Sequence, residues 1–427
     1  FEELLRRFND TSPPGQQYTP RDVLHLMTDI LFDGDDAALS IPGAIRTMYD
    51  QTAGTGGMLS EGEEKVREFN PDAKLRLFGQ ELEDETYAIC MADMLIRGQD
   101  PADIKLGDTL SDDKHPDERF DYQLSNPPYG VEWKPSQDAV EKEHAKGAAG
   151  RFGPGLPRIS DGQMLFQLNA LSKMRPFIKG EGGGRIGLVH NGSPLFTGDA
   201  GSGESEIRRH ILEHDYLDAI VALPSDIFYN TGIATYLWFM TNRKPNERKG
   251  KVILIDASDM GSLMKKNLGK KRYEISADSQ RRIVKAYHDF KDVEWADEGG
   301  AAGRRRSLKA KVLPASHFFY RKVTVERPLR LRFDLNRAKV DGFIAGLAAK
   351  PGKTGASIDV QNLAAALTRY VTDHGDKVFM SMDAFMTAIN KGDAANSKDL
   401  KQKATKFKSK VLETARKAFG IRDKKAE

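Results

Sequence analysis

Short apolar segments with strand character alternate with amphipathic helical segments through roughly the first 260 residues, and glycine follows several of the apolar segments. Parallel strands need crossover connections, so this alternation predicts a doubly wound α/β sheet. The predicted strands are residues 45–50, 75–79, 104–108, 120–126, 185–191, 217–224, 234–242 and 251–257. Helices are predicted at 22–32, 84–96 and 162–178. Residues 131–160, rich in glycine, proline and charge, predict a mobile loop.

Cysteine and histidine usage excludes several classes of site. The chain has one cysteine and nine histidines among 427 residues. This excludes a disulfide framework and cysteine-based zinc clusters, so no metal site is predicted. No apolar run approaches the ~18 residues of a spanning helix, and no signal peptide is recognisable. We therefore expect a cytoplasmic protein with no membrane partner. The chain begins at Phe1 rather than Met, so we expect an upstream part to be missing.

Positive charge is concentrated in the last third of the chain. Residues 304–332 carry +9 and residues 398–427 carry +7, although the whole chain carries only +3. Such segments can neutralise nucleic-acid phosphates, or they can form a solvated surface. The spacing within 398–427 predicts one helix, which either packs on its own domain or docks on a partner. Its predicted apolar stripe is Leu400, Ala404, Phe407, Val411 and Ala418.

Three successive strand ends carry residues suited to a nucleoside ligand. The first strand runs into Ala53-Gly54-Thr55-Gly56-Gly57, where glycine permits a sharp turn and a close ligand approach. The spacing is neither a dinucleotide fingerprint nor a P-loop. The second strand ends at Glu81, which can accept hydrogen bonds from two ribose hydroxyls, and the third at Asp108, which can accept from an exocyclic amine. Together they predict an adenosine-type cofactor.

The fourth strand ends in Asn126-Pro127-Pro128-Tyr129. The prolines fix the backbone and remove two N–H donors, which leaves the Asn126 side-chain oxygen and the Pro127 carbonyl as a rigid pair of acceptors. These acceptors suit a planar amine on an aromatic ring, and the ring would stack on Tyr129. Hydrogen bonds that strengthen as the nitrogen becomes positive stabilise the transition state more than the ground state.

These bonds would also make the amine nitrogen a better nucleophile, and the tetrapeptide resembles that of amino-group methyltransferases, which implies methyl transfer to an exocyclic amine. Methylation at carbon 5 of cytosine needs a cysteine nucleophile, and Cys90 stands in a predicted helix between Ile89 and Met91, so that reaction is excluded. The N6 amine of adenine and the N4 amine of cytosine need the same acceptors. The residues alone do not choose between them.

The tetrapeptide and its surroundings resemble the amino-group methyltransferases that use S-adenosylmethionine, and in particular the modification subunits of type I restriction–modification systems. The resemblance covers about residues 1–260 and favours adenine. The segments that carry it are Gln16-Gln17-Tyr18-Thr19-Pro20-Arg21, residues 50–59, Gly79-Gln80-Glu81, residues 107–110, Leu195-Phe196, residues 222–224, Phe228 and residues 231–235.

The resemblance implies a mostly parallel, seven-stranded methyltransferase sheet with one antiparallel strand at 234–242, followed by a helical C-terminal region. It implies that the segment Gln16 to Arg21 borders the cofactor, and that Asp50 and Gly54 to Gly57 hold its methionine part. Glu81 would hold the ribose, Asp108 the adenine amine, and Asn126 to Tyr129 the target base. In the resembled family, an aromatic residue is usual at the position of Gln17, and cysteine is common at the position of Ala53.

Three regions are expected. Residues 1–40 form a helical lead-in whose N-terminal helical domain is missing, residues 41–260 the catalytic domain, and residues 261–427 a basic, mainly helical region. The implied partners are double-stranded DNA, a specificity subunit flanked by two modification subunits, and a restriction subunit. The alternatives are an N4-cytosine DNA methyltransferase, a protein glutamine N5-methyltransferase and an inactive DNA-binding scaffold.

Overall fold

The computed structural model describes residues 18–35, 39–41, 43–297, 305–323, 331–348, 358–394 and 409–422. Two compact units make up the chain, residues 1–322 and residues 323–427. In the first unit the strands are β1 (Ile45–Asp50), β2 (Lys74–Glu81), β3 (Ile104–Leu106), β4 (Tyr122–Ser125), β5 (Phe177–Ile178), β6 (Glu181–Gly182), β7 (Arg185–Asn191), β8 (Leu217–Ala222), β9 (Thr235–Thr241), β10 (Lys251–Asp256), β11 (Ser262–Leu268), β12 (Lys271–Glu274), β13 (Val293–Ala296) and β14 (Ser307–Pro314).

Ten of these strands form one sheet in the order β13-β14-β10-β8-β9-β7-β4-β1-β2-β3. Strands β3, β2, β1, β4 and β7 run parallel, β8 and β10 run parallel, and β9 is antiparallel to both β7 and β8. The fold class and the antiparallel strand predicted at 234–242 are therefore confirmed. The sheet has ten strands rather than seven because β10, β14 and β13 continue it beyond β8. Strands β5–β6 and β11–β12 form separate hairpins.

Helices cover both faces of this sheet. The helix predicted at 162–178 spans only Gln163–Ser172, because Phe177–Ile178 pairs with Glu181–Gly182 in the β5–β6 hairpin. The α-helices of the first unit are α1 (Arg21–Phe32), α2 (Gly57–Phe69), α3 (Asp84–Ile96), α4 (Gln137–His144), α5 (Gln163–Ser172), α6 (Ser193–Phe196), α7 (Gly203–Glu213) and α8 (Ala277–Asp289). Short 3-10 turns occupy Lys134–Ser136, Gly147–Ala149 and Ala315–Phe318. Helices α7 and α8 begin at serine caps, Ser202 and Ser276, whose hydroxyls accept backbone N–H bonds.

Alternate residues of the central strands are buried in two different apolar cores. Val189 and Val221 belong to one core, whereas their neighbours Leu188 and Ile220 belong to the other. Strands buried on both faces read as continuous apolar runs, which is why β7 and β8 are clear in the sequence. The predicted helix at 22–32 presents Val23, Leu26, Met27 and Ile30 to the first core, and each is completely buried.

The second unit has its own small core. It comprises α9 (Arg337–Ala348), α10 (Ile358–His374), α11 (Met382–Ala394) and α12 (Ser409–Phe419) with β15 (Leu331–Leu335), β16 (Lys377–Phe379) and β17 (Gly420–Arg422). The strands form an antiparallel sheet in the order β16-β15-β17. The rings of Phe333 and Phe385 stack at 5.0 Å within this core.

The observed units differ from the predicted regions. The limit between units lies at 322/323 instead of near 260, because β14 pairs with β10 and continues the large sheet. No limit falls at 40, because α1 belongs to the sheet's core.

The C-terminal helix also differs from the predicted one. It spans Ser409–Phe419. Of its predicted apolar stripe, Leu400, Ala404 and Phe407 lie outside the described residues. Ala418 is exposed, and the buried residues of the last turns are Ala415 and Phe419.

The predicted loop at 131–160 is also built differently. It contains α4 and two 3-10 turns, and Trp133, Val140 and Phe152 are buried in the second core. Arg151 holds the segment in place through Glu143, the carbonyls of Thr109 and Leu110, and the side chain of Asn169. Because Thr109, Leu110 and Asn169 are distant from Arg151 in sequence, local composition could not reveal these contacts.

A buried ion-pair network closes the amino-end edge of the sheet. Asp35 is 5% exposed and accepts hydrogen bonds from both terminal nitrogens of Arg243 and from the Tyr122 hydroxyl at 2.7 Å. Arg185 lies 3.8 Å from the same carboxylate. Burial is the largest single effect and opposes ionisation of Asp35, but the bonds from Arg243 and Tyr122 and the charges of Arg185 and Arg243 together outweigh it, so the pKa lies below its ordinary value.

We predict that Asp35→Asn lowers the free energy of unfolding by about 3–5 kcal/mol at neutral pH, because two largely buried guanidinium groups lose their counter-charge. A lowered carboxyl pKa stabilises the fold above the unfolded value of about 3.9, so the loss should shrink as the pH falls below about 4. Urea titrations at several pH values measure this. Asp117→Asn, at an exposed position, is the control; equal effects of the two substitutions would contradict the account.

Candidate functional site

A cavity of about 310 Å³ opens at the carboxyl ends of the parallel strands. That volume lies at the lower end of the usual range for small-molecule sites, about 300–1,000 Å³. Many residues predicted for the site border it: Tyr18, Thr19, Arg21, Asp50, Ala53, Gly54, Thr55, Gly57 and Asn126. The structure thus brings the upstream segment, the glycine-rich turn and the tetrapeptide to one place.

Other predicted site residues do not line the cavity themselves but lie next to residues that do, or at neighbouring strand ends. Pro20 precedes α1, Gly56 supports the turn, and Glu81 and Asp108 lie at neighbouring strand ends. Within the tetrapeptide, Pro127, Pro128 and Tyr129 do not line the cavity. Gln16 and Gln17 lie outside the described residues.

The glycine-rich turn is shaped by its neighbours. Asp50 pairs in register with Gly79 of β2, and the Ala53 N–H donates to the Gln80 carbonyl at 2.9 Å, which turns the chain back over the sheet. Gly56 has a φ of 82°, and a Cβ there would lie 2.9 Å from the Cys90 sulfur. Only glycine fits this position, so the turn reaches α2 with its backbone open to the cavity.

Glu81 holds the turn from below. Its Oε2 accepts the Gly54 N–H at 2.8 Å and its Oε1 accepts the Glu83 N–H at 3.0 Å. Burial raises the pKa of this carboxyl, and the two backbone donors partly offset the effect. Each carboxylate oxygen has a further lone pair, so acceptor capacity for a ligand hydroxyl remains.

Asp108 is engaged by its own surroundings. Its carboxylate accepts from the Leu110 N–H at 3.0 Å, the Ser111 hydroxyl at 2.6 Å and the Ser136 hydroxyl at 2.5 Å. Ser136 belongs to the segment that follows the tetrapeptide. The strand end predicted to bind a nucleoside base is thus joined to residues 131–160, which the sequence predicted to be a mobile loop.

The tetrapeptide presents its asparagine to the cavity. The Asn126 Nδ2 donates to the Thr19 hydroxyl at 3.0 Å, so the upstream segment orients this amide. Tyr129 is only 7% exposed, and burial raises the pKa of its hydroxyl. The stacking predicted for Tyr129 stays a prediction, since its ring is covered in this structure.

Sequence reasoning missed Gln51, which is 1% exposed between Asp50 and Thr52. Its backbone N–H donates to the Ser125 hydroxyl at 3.0 Å, and its carbonyl accepts from the Thr109 hydroxyl at 2.6 Å. Its side-chain amide accepts from Asn169 at 2.7 Å and donates to the Phe166 carbonyl at 3.0 Å. Periodicity carries no signal for such long-range bonds.

The cavity lining includes residues that sequence reasoning missed, among them Tyr229 and His25. Tyr229 borders the cavity and directly follows Phe228, one of the residues on which the resemblance rests. This position next to Phe228 was the signal from which Tyr229 could have been predicted as a site residue. His25 on α1 lies 2.5 Å from Glu61 on α2, and its hydrogen bond to Glu61 raises its pKa despite partial burial. Charged side chains therefore border the cavity beyond the residues that the sequence singled out.

Burial controls the electrostatics of the site. It raises the pKa of Asp50 to about 7, although the Thr52 N–H and the Ser125 hydroxyl favour the charged form. Burial and the nearby Asp50 and Glu81 carboxylates raise the pKa of Cys90 to about 12. A completely buried thiol of this pKa is no nucleophile, in agreement with the exclusion of carbon-5 cytosine chemistry.

Comparison with known proteins identifies the family. Residues 1–301 match the family model described as N-6 DNA Methylase. The chain belongs to this family. A type I restriction enzyme methylase subunit of Methanocaldococcus jannaschii is 27% identical over 302 residues, 70% of this chain and 50% of that protein. The HindI methylase subunit of Haemophilus influenzae is 25% identical and covers 72% of this chain and 64% of its own length.

Among solved structures, the type I restriction-modification methyltransferase subunit from Streptococcus thermophilus superposes with a TM-score of 0.58 at 27% identity, over 74% of this chain and 59% of that one. The chain spans about half the length of several M. jannaschii methylase subunits that it matches. Within the described residues, no helix is both long and apolar enough to cross a membrane.

We predict that Asp50→Asn raises the free energy of unfolding at pH 8 by roughly 2–4 kcal/mol, because the folded wild type then carries a buried, unpaired carboxylate. A raised carboxyl pKa penalises folding only above the unfolded value of about 3.9, and the penalty is complete above about 7. The difference should therefore vanish near pH 4. Denaturant titrations at the two pH values measure it, with Asp117→Asn as control; a variant less stable than wild type at pH 8 would contradict the prediction.

Proposed function

We propose that this chain transfers a methyl group from S-adenosylmethionine to the N6 amine of a flipped-out adenine in double-stranded DNA, as the modification subunit of a type I restriction–modification complex. One observation carries the proposal: Asn126 of the tetrapeptide borders the same cavity as Asp50 and the glycine-rich turn. A methyl donor and an acceptor amine can meet there.

The cavity suits the proposed cofactor. Asp50 offers a carboxylate to the ammonium group, and the open backbone from Gly54 to Gly57 lies beside it at the start of α2. Glu81 has acceptor capacity for ribose hydroxyls next to Gly54, and Asp108 retains a lone pair for the adenine amine. When bound, S-adenosylmethionine supplies an electrophilic methyl group.

The target amine would be held by acceptors of the chain. The Nδ2 of Asn126 is engaged by Thr19, which leaves the side-chain oxygen as the end of the amide that addresses the amine. The Pro127 carbonyl would be the second acceptor. Both bonds strengthen as positive charge develops on the amine nitrogen, so they lower the barrier to transfer. An amino group inside a duplex is out of reach, hence the base must flip out, at a cost of a few kcal/mol.

Relatives support the biological setting. The M. jannaschii and H. influenzae proteins are methylase subunits of type I restriction enzymes. We accordingly propose a cytoplasmic complex with DNA, a specificity subunit flanked by two modification subunits, and a restriction subunit. The predicted docking of residues 398–427 on the specificity subunit stays a prediction.

The family match favours N6 of adenine over N4 of cytosine and over a protein glutamine. An inactive scaffold would have no need of a cavity in which the glycine-rich turn and the tetrapeptide meet.

We predict that Asn126→Ala lowers methyl transfer by roughly 10²–10³-fold, since a bond made mainly in the transition state is lost. Transfer from labelled S-adenosylmethionine to DNA, with the specificity subunit present, measures the rate. Calorimetry with S-adenosylhomocysteine should give nearly unchanged affinity.

Thr19 offers matched controls for this experiment. Thr19→Ser keeps the hydroxyl that orients Asn126 and should retain activity, whereas Thr19→Val should lose part of it. Near-wild-type turnover of the Asn126→Ala protein would overturn the amine-orienting role.

We further predict that Glu81→Ala weakens S-adenosylhomocysteine binding about 10–100-fold, because charge-assisted hydrogen bonds to the ribose and the support of Gly54 are lost together. Isothermal titration calorimetry measures it. The affinity of the Glu81→Gln protein should lie between those of wild type and Glu81→Ala. The Glu85→Ala protein, changed on the exposed first turn of α3, should bind with wild-type affinity. Unchanged affinity in the Glu81→Ala protein would remove this residue from the site.

A further inference from the structure

A basic hairpin stands apart from the two basic segments recognised in the sequence. We define it as residues 262–274, made of β11, a turn at Gly269 and β12. It carries five cations and one carboxylate, a net charge of +4. The remainder of residues 1–303 is net acidic. Four of its cations are exposed: Lys265, Lys266, Lys270 and Arg272. Among the described residues, none of these four forms an ion pair within 4 Å.

The turn of the basic hairpin is fixed to the cavity wall. The Lys270 N–H donates to the Tyr229 carbonyl at 2.7 Å, and the Arg272 N–H donates to the Asp226 carbonyl at 2.8 Å. A Cβ on Gly269 would lie 2.4 Å from the Tyr229 oxygen, so glycine permits this approach. Tyr229 itself borders the cavity together with Asn126.

The fifth cation fastens the same element to α1. The Lys271 ammonium is buried and contacts both carboxylate oxygens of Asp22 at 3.0 Å, as well as the Ile227 carbonyl. Asp22 also accepts the Ile275 N–H at 2.8 Å, and it adjoins Arg21 on the cavity rim. The hairpin is therefore held by two elements that both contribute to the cavity.

This arrangement places the four exposed cations beside the cavity, where they suit a bound polyanion. Four exposed like charges that form no close ion pair repel one another, and a polyanion bound nearby removes that cost. Duplex DNA carries one phosphate charge per ~1.7 Å of its axis, enough to meet all four cations on a short element. Phosphate contacts fix the position and register of a duplex without reading its sequence.

We infer that the basic hairpin binds the phosphate backbone of duplex DNA next to the target base and so presents that base to the cavity. The inference rests on the proposed function, since it takes DNA as the substrate. It assigns the positioning contact to residues 262–274 rather than to charge in the last third of the chain.

The test is the salt dependence of DNA binding by the full chain. Fluorescence anisotropy with a labelled duplex of mixed sequence gives the slope of log affinity against log salt for wild type and for a variant with Lys265, Lys266, Lys270 and Arg272 all changed to Gln. Each lost phosphate contact removes about 0.9 from the slope, so the variant should be shallower by about 3–4.

Two further variants control for net charge and folding. The first changes Lys74, Lys179, Lys249 and Lys251 to Gln, and the slope should not change. All four are exposed: Lys74 and Lys251 begin β2 and β10 and Lys249 precedes β10, at the end of the strands opposite the cavity, and Lys179 lies in the β5–β6 turn. The second keeps the hairpin charge with Lys265→Arg, Lys266→Arg, Lys270→Arg and Arg272→Lys, and it should retain the wild-type slope. Affinity for S-adenosylhomocysteine should be equal in all four proteins.

The outcomes separate the hairpin from the proposed function. An equal fall in slope for the hairpin and control variants, or no fall for either, overturns the hairpin inference, and methylation of DNA by the wild-type complex would still uphold the function. Stronger hairpin-dependent binding to duplex RNA than to DNA overturns the choice of partner. A hairpin-specific loss on DNA supports the inference, even where the complex yields no methylated nucleoside and the proposed function fails.

Discussion

Gln51 is the point on which the arrangement of the site depends. The residue follows β1, and all its polar groups are used: its backbone reaches Ser125 and Thr109, and its side chain reaches Phe166 and Asn169. These partners come from the end of β4, the Asp108 loop and α5. Because a buried amide left without partners costs about 1–3 kcal/mol for each lost bond, the network holds three elements in one mutual position.

Further hydrogen bonds connect the residues proposed for the cofactor with the tetrapeptide proposed for the target base and with the segment after it. Ser136, from the segment after the tetrapeptide, bonds to Asp108, and Thr19, from the upstream segment, bonds to Asn126. Arg151 adds further bonds to the Asp108 loop and to Asn169. Hydrogen bonds therefore connect the residues proposed to hold the target base with those proposed to hold the cofactor. Preorganisation of this kind reduces the reorganisation needed in the transition state.

The sequence predicted what depends on apolar periodicity and local turn chemistry. Strand β7 has the predicted bounds, and the glycine-rich turn and tetrapeptide follow the strands expected of them. It did not predict β14, in which Lys309 and Lys311 alternate with apolar residues and suggested a basic connector. The order of residues 131–160 was also hidden, because it depends on contacts that Arg151 makes with residues far along the chain.

For the candidate site, the sequence predicted which residues would lie together but not what surrounds each of them. Asp50 and Asn126 border one cavity, whereas Asp108 accepts hydrogen bonds from serine hydroxyls and Tyr129 is covered. Tyr229 and the basic hairpin escaped notice because their relation to the cavity exists only in the folded chain. A lysine-rich turn reads as ordinary surface until its backbone bonds to the cavity wall are seen.

The central claim is that the reacting atom is the exocyclic nitrogen of adenine. The most direct measurement is mass spectrometry of the nucleosides released from DNA after incubation with S-adenosylmethionine and the chain in complex with its partner subunits. The account predicts N6-methyladenine as the methylated product. N4-methylcytosine, 5-methylcytosine, or methyl label found on protein instead of DNA would contradict it.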